Sequence, residues 1–384
     1  MDGVNKRMFA ERLLDNVESL HARLKSGNYR HRPIRRVHIP KEGGKTRPIG
    51  VSILEDKIVQ GALRDVLEVV YEQDFLPCSF GFRPKRGAHD AIRAFDRVDY
   101  RGEVNWVLEA DIQAYFDSLD RNWLMKMLQQ RVADKSILRL VGKCLNVGVL
   151  DGEALSTPDE GAAQGSAISP LFGNIYLHFV LDLWFESVVK PRLRGKAHLI
   201  RYADDFVIGF ERKDDAERVM AVLPRRMGRF NLRLHPEKTR LIPFARPWVG
   251  QRHGKGPGTL DFLGFTLYWR RTRGGRWQMF CMTRRARLRR AITAVSEWCR
   301  DHRHHPVEAQ HAALTRRLQG HINYFGVNGN LKKLQTLVDK AERAWFKWLN
   351  RRSQRACLTW QRFKSLLRDF PLPKPRVVVT IWGK

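Results

Sequence analysis

Leu199-Ile200-Arg201-Tyr202-Ala203-Asp204-Asp205-Phe206-Val207-Ile208-Gly209-Phe210 sets two adjacent acids between two apolar runs. Branched and aromatic residues on both sides favour strands, so the stretch reads as a β-hairpin with carboxylates at its bend. An Asp-Asp pair in a bend is by itself ordinary turn chemistry. A third acid changes its meaning. Trp106-Val107-Leu108-Glu109-Ala110-Asp111-Ile112 is another short apolar strand, with Asp111 near its end. Antiparallel strands of one sheet would bring Asp111 beside Asp204. Packed carboxylates repel and raise one another's pKa unless divalent cations sit between them. Such hard oxygen donors suit Mg²⁺, and two ions roughly 3.5–4 Å apart can drive an in-line phosphoryl displacement.

The rest of the composition points to a polyanion partner. The chain has 384 residues, 70 Lys and Arg against 40 Asp and Glu, and a formal net charge of +30. With 43% hydrophobic residues it can bury a sizeable core, which excludes a small stapled module and a disordered basic tail. Residues 281–384 hold 23 Lys and Arg against 6 Asp and Glu, so the cationic excess is concentrated there. Self-repulsion of that size favours a nucleic-acid partner. No run approaches the roughly 18 apolar residues of a membrane span, and Met1 to Arg12 has no apolar signal core. Cys78, Cys144, Cys281, Cys299 and Cys357 form no CxxC pair and are odd in number, so neither a disulfide framework nor a zinc ribbon is expected. The reading is cytoplasmic. His302, His304 and His305 lack acidic or Cys partners and read as a solvated loop.

Around the acids, residues 4–26 show helical spacing through Phe9, Leu13, Leu14, Val17, Leu20 and Leu24, stopped at Ser26-Gly27-Asn28. Residues 35–40 and 46–51 read as a hairpin across Gly43-Gly44. Residues 53–75 are expected to be helical with Ile58, Ala62, Leu63, Val66, Leu67 and Val70 on one face, and residues 89 onward, 121–147 and 214–230 to form further helices. Residues 232–234 and 241–244 read as strands, and 260–267 follows a Gly/Pro-rich break. From about 285 the pattern is helical and basic, which puts a domain boundary near 275–282. Arg284, Arg285, Arg287, Arg289 and Arg290 open a helix whose Leu288, Ile292 and Val295 face inward, leaving the arginines to phosphates. Trp345, Phe346 and Trp348 lie among Lys347, Arg351 and Arg352, a mixture that suits base stacking or, equally, a core helix with a cationic face.

Tyr202-Ala203-Asp204-Asp205 resembles the YxDD box of reverse transcriptases, in the YADD form of bacterial group II intron enzymes. The likeness runs in order through Arg36–Gly50, Phe80-Gly81-Phe82-Arg83-Pro84, Asp111-Ile112 with Tyr115-Phe116-Asp117, Gln164-Gly165-Ser166, Ser169-Pro170-Leu171 with Asn174-Ile175-Tyr176-Leu177, Leu234-His235-Pro236-Glu237-Lys238 and Phe262-Leu263-Gly264-Phe265. It continues through Gly320-His321-Ile322-Asn323-Tyr324-Phe325-Gly326, residues 345–354 and Phe370–Arg376, which resemble the thumb, X or maturase, domain. The resemblance implies an α+β right-hand polymerase: fingers and palm with an antiparallel palm sheet over 1–280, then an α-helical thumb over 281–384.

In that family the site residues would be Asp111, Asp204 and Asp205 as metal ligands for two Mg²⁺ ions, with Mn²⁺ able to substitute. Lys41 and Arg47 would grip the triphosphate, Phe116 would gate against a ribose 2′-hydroxyl, and Gln164 and Lys238 would flank the nucleotide. Leu263-Gly264 would be the primer grip. The implied partners are a DNA primer, an RNA template, deoxynucleotides and structured RNA, with group II intron RNA first. The implied activity is RNA-directed DNA synthesis with a role in intron splicing. A domesticated enzyme of DNA repair or phage defence, or a splicing-only RNA-binding maturase, remains open. Two departures stand out. Ala163-Gln164-Gly165-Ser166 lacks the family's Pro before and second Gly after the glutamine. The Met1 start implies a shortened template lid, and the Lys384 end implies a member without an endonuclease extension.

Overall fold

The computed structural model describes residues 3–40, 46–151, 154–156, 161, 165–247, 258–272, 274–353 and 358–382. Lys41, Gln164 and the Gly43-Gly44 turn lie outside them, and Arg47 is described through its backbone alone, paired with Ile39. The chain divides into two compact units, Met1–Ala91 with Leu108–Leu241 and Ile92–Val107 with Ile242–Lys384.

The first unit holds a sheet of Thr46–Val51, Ile34–Pro40, Val149–Asp151 and Ala154–Ser156; a second sheet has the order Ala197–Tyr202, Asp205–Phe210, Trp106–Asp111, Arg240–Pro243. Its central helix, Ser169–Leu177, is buried on nearly every side and runs on through π-helical turns at His178–Asp182 and Phe185–Val189. A helix apolar all round belongs in a core. The expected helix over 4–26 is two, Lys6–Glu11 and Leu13–Lys25, broken at Arg12. Residues 121–147 are likewise two helices, because Asp134 caps a new start at Lys135. Residues 232–234 form no strand beyond a single bridge of Leu234 to Ile112.

The helix Leu54–Tyr71 buries a face rotated from the one expected. Ile58 and Val66 are exposed, while Asp56 and Gln60 are buried. The polar pair is matched inside: Tyr29 donates to Asp56 Oδ1 at 2.6 Å, and Gln60 lies 2.7 Å from His31 Nε2 and 3.3 Å from Ser52 Oγ. Apolar periodicity alone overlooks a buried face whose polar groups are satisfied.

The second unit has the three-stranded sheet Trp277–Thr283, Phe265–Arg271, Leu260–Phe262 and the helices Arg285–Asp301, Val307–Phe325, Leu331–Leu349 and Trp360–Asp369. Leu288, Leu318, Leu337, Trp345 and Phe363 share its helical core. Trp345 is fully buried and donates Nε1–H to Gln310 Oε1 at 2.9 Å, so it is a core residue and offers no ring to a base. Among the described residues no helix is long and apolar enough to cross a membrane.

Asp99 is 1% exposed, and neither of its carboxylate oxygens has a hydrogen-bond partner among the described residues. Burial first, then the nearby Asp96 carboxylate, pushes its pKa from 3.8 up to about 8, against a smaller pull from Arg246. The folded chain therefore keeps a proton that the unfolded chain has released, and this group's contribution to stability falls as pH rises from about 4 to about 8. Urea midpoints measured at about pH 5.5 and about pH 8.5 should drop for the native chain and drop much less for Asp99→Asn.

Candidate active site

Ala197–Tyr202 pairs antiparallel with Asp205–Phe210, with Tyr202 opposite Asp205, so Ala203 and Asp204 make a two-residue bend. Asp204 sits in the bend and Asp205 opens the return strand. Ala203 has φ 55°, the left-handed region that disfavours a side chain. A buried clamp holds it there. The Arg201 guanidinium, 0% exposed, donates Nη1 to Ala203 O at 3.0 Å and to Asn174 Oδ1 at 3.0 Å. It donates Nη2 to Ser79 Oγ at 2.8 Å and forks onto Asp182 at 2.8 and 2.6 Å. Asn174 in turn donates to Gly81 O at 2.7 Å. A Cβ on Gly81 would lie 2.4 Å from Ala203 N, so only glycine lets that segment pack against the bend. Sequence reasoning assigned no role to Arg201 or Asp182. The signal was present: Arg201 directly follows Leu199-Ile200 in a strand with a buried face.

The strand Trp106–Asp111 adjoins Asp205–Phe210 in the sheet and delivers Asp111 to the same place. Asp111 O accepts from His235 N at 2.8 Å, which draws in the following turn, and the Lys238 ammonium pairs directly with Asp111 Oδ2. Asp111, Asp204, Asp205, His235 and Lys238 line one cavity of about 520 Å³, together with Thr46, Pro48 and the 112–117 segment. Asp205 reaches solvent, yet protein crowds its carboxyl: desolvation first, then the charges of Asp204 and Asp111, push its pKa up to about 7, and Lys238 opposes them. The two carboxylates named first in that shift, Asp204 and Asp111, are the other two members of the expected set.

These donors suit a divalent cation in kind: hard carboxylate oxygens, mutually repelling, one already held by an ammonium. Among the described residues no three acidic, His or Cys side chains close into a cage around an ion. Mg²⁺ keeps several waters and shares its shell with substrate phosphates, so a half-open set is what it requires.

Beyond Asp111 the chain turns at Ala114, φ 47°, into a short 3₁₀ turn Tyr115–Asp117 that puts the half-buried Phe116 on the cavity wall. Near the undescribed Gln164, Ala167 N donates to Gln60 Oε1 at 3.1 Å, and a Cβ on Gly165 would lie 2.5 Å from Gly50 O. Gly165 is therefore packed against the Thr46–Val51 strand.

In the second unit, Leu263 (φ 52°) and Gly264 (φ 81°) form a tight turn between Leu260–Phe262 and Phe265–Arg271. Tyr324 donates its hydroxyl to Leu263 O at 2.9 Å, and Arg284 N donates to Gly264 O at 3.0 Å. Arg285, Arg287, Arg289 and Arg290 are exposed, whereas Arg284 pairs with Asp261 at 3.0 Å. Lys347 and Arg351 lie over the Trp348 ring, 5.1 and 5.5 Å from its centroid. Arg352 ties the carbonyls of Arg303 and His305 at 2.5 Å each, so much of its guanidinium is committed within the unit.

The fold is that of a right-hand polymerase, mixed α+β with a helical C-terminal region. A solved telomerase from Candida albicans, in complex with a fragment of telomeric RNA, matches it with a TM-score of 0.51 at 14% identity, covering 95% of this chain and 64% of that one. Within that class the chain belongs to the reverse transcriptase (RNA-dependent DNA polymerase) family, whose pattern matches residues 39–267 and takes in all three aspartates. It is accordingly an RNA-directed DNA polymerase. Protein YkfC of Escherichia coli K12 is 36% identical over 276 residues, 63% of this chain and 71% of that protein. The group II intron-encoded protein LtrA of Lactococcus lactis is 36% identical over 174 residues, 44% of this chain and 29% of LtrA. An uncharacterized 91 kDa protein in the cob intron of Schizosaccharomyces pombe is 30% identical over 258 residues, 65% of this chain and 32% of that protein.

Proposed function

We propose that the chain is a group II intron-type reverse transcriptase of the bacterial cytoplasm that binds its intron RNA, assists splicing and copies RNA into cDNA. The observation that carries this reading is the convergence of Asp111, Asp204 and Asp205 with Phe116 and Lys238 on one cavity. The ordered group II motifs and the likeness to LtrA support the intron assignment. Functionally, residues 1–280 would serve as fingers and palm and 281–384 as thumb.

Asp111, Asp204 and Asp205 would hold two Mg²⁺ ions, or Mn²⁺ in their place. When bound, these ions supply Lewis-acid activation of the primer 3′-hydroxyl and charge stabilisation at the departing pyrophosphate. The protein's own residues position the reactants. Phe116 presents its ring where a ribose 2′-hydroxyl would clash, Lys238 brings a cation to the phosphates, and Lys41, Arg47 and Gln164 complete the nucleotide contacts. Leu263 and Gly264 offer backbone to the primer strand. Arg284, Arg285, Arg287, Arg289 and Arg290, with Lys347, Arg351 and Arg352, contribute cations to the RNA.

Primer extension on poly(rA)/oligo(dT) with dTTP and Mg²⁺ tests the polymerase reading, and no incorporation would refute it. Ribozyme domains flanking the reading frame in genomic DNA test the intron reading; their absence would favour a domesticated enzyme of repair or phage defence. RNA affinity should fall about 10³-fold or more between about 50 and 200 mM salt if six or more phosphates are contacted. A flat salt response in filter binding would remove the phosphate role of the thumb cations.

A further inference from the structure

The ring of Phe116 rests on a helix that has no side chain at the point of contact. Gly173, in Ser169–Leu177, faces the 3₁₀ turn Tyr115–Asp117. A Cβ at Gly173 would lie 3.0 Å from Tyr115 Cε1, 3.2 Å from Phe116 Cε1 and 3.4 Å from the Tyr115 hydroxyl. The Tyr115 hydroxyl donates to Gly173 O at 2.5 Å, and the Tyr115 and Phe116 rings lie 5.2 Å apart at 55°. Tyr115 is 3% exposed and tethered, so it has nowhere to retreat.

The backbone of the turn is backed as well. Gly161, at φ +88°, would place a Cβ 2.9 Å from Asp117 O and 3.0 Å from Phe116 O. It is itself pinned by its N–H to Leu119 O at 2.8 Å and by Arg121 Nε to its carbonyl at 3.0 Å. Phe116, half-buried where Tyr115 is buried, lines the cavity that also holds the three aspartates.

We propose that Gly173 and Tyr115 act as a matched pair of positioning residues that set how far the Phe116 ring projects into the cavity, and so set the choice between deoxyribose and ribose. This rests on the reading of Phe116 as the sugar gate. Gly173 lies in a helix with ordinary φ, so alanine is conformationally welcome there and carries better helix propensity. With Tyr115 buried and tethered, the added methyl group pushes the half-buried Phe116 ring toward the nucleotide. Losing the Tyr115 hydroxyl has the opposite effect, since the untethered ring can give way. One methyl group in a packed pocket changes discrimination by roughly tenfold.

The experiment is steady-state primer extension by the full chain on poly(rA)/oligo(dT), with kcat and KM measured separately for dTTP and UTP. Gly173→Ala should raise KM for dTTP and raise selectivity for dTTP over UTP about tenfold. Tyr115→Phe should lower selectivity, and the double variant should return toward the native value, a coupling that independent structural damage would not produce. Phe116→Ala is the reference. If it leaves selectivity unchanged, the gate reading fails. If it collapses selectivity while Gly173→Ala and Tyr115→Phe both stay within about twofold of native, the pairing is refuted and the gate stands. Should Gly173→Ala fail to fold, Tyr115→Phe decides alone: unchanged selectivity overturns the pairing.

Discussion

Asp204→Ala should lower kcat for primer extension by about 10³-fold or more, the equivalent of several kcal/mol of lost transition-state charge stabilisation. The expectation follows from position. Asp204 occupies a bend of two residues between strands paired from Tyr202–Asp205 to Ala197–Phe210, and the residue before it is held by Arg201. No slack in that bend would let Asp205 or Asp111 take over its place. RNA affinity and the circular dichroism spectrum should not change, because the side chain makes no contribution to the hydrophobic core. Asp204→Asn, which keeps the shape and removes the charge, should be nearly as damaging. Incorporation at the native rate by either variant would remove Asp204 from the chemistry and leave the family assignment without its proposed site.

The second large effect belongs to a residue that touches no substrate. Arg201→Met leaves Asp182, 0% exposed, as a buried carboxylate stripped of its bidentate partner, and removes donors from Ser79 and Asn174. Breaking one side of a buried ion pair costs about 3–5 kcal/mol, which urea unfolding should register. Replacing both partners, Arg201→Met with Asp182→Leu, should recover much of that stability, since two apolar groups leave no charge unpaired. Activity should remain lost in the double variant, because Ala203 O still lacks the donor that holds the bend at φ 55°. Recovery of both stability and activity together would show that the pair serves the fold alone.

Much of the site was legible because its signals are local. The hairpin around Asp204 shows itself by two apolar runs and an acidic break, and Asp111 by its place at the end of a strand. Helices were legible where apolar spacing is regular, as at Lys213–Gly228, which forms without a side-chain cap. They were misjudged where polar residues are buried in partnership. Asp56 and Gln60 turned the Leu54–Tyr71 face away from the stripe of Ile58 and Val66, and Asp134 split a stretch that periodicity alone would run together. Trp345 among cations could not be sorted from sequence between stacking platform and core; its bond to Gln310 makes it core.

The sequence by itself therefore determined the class of chemistry: paired and distant aspartates on strands, within a cationic chain whose motifs follow one another in family order. Tertiary structure alone decided what holds those aspartates. Arg201 meets Asp182, Ser79 and Asn174, Lys238 meets Asp111, and Gly173 meets Tyr115 and Phe116 only after the chain has folded. The physical reason is range. Strand and turn preferences act over neighbouring residues and can be read in order, whereas the burial of a charge, or the absence of a methyl group, takes its meaning from partners far away in the chain.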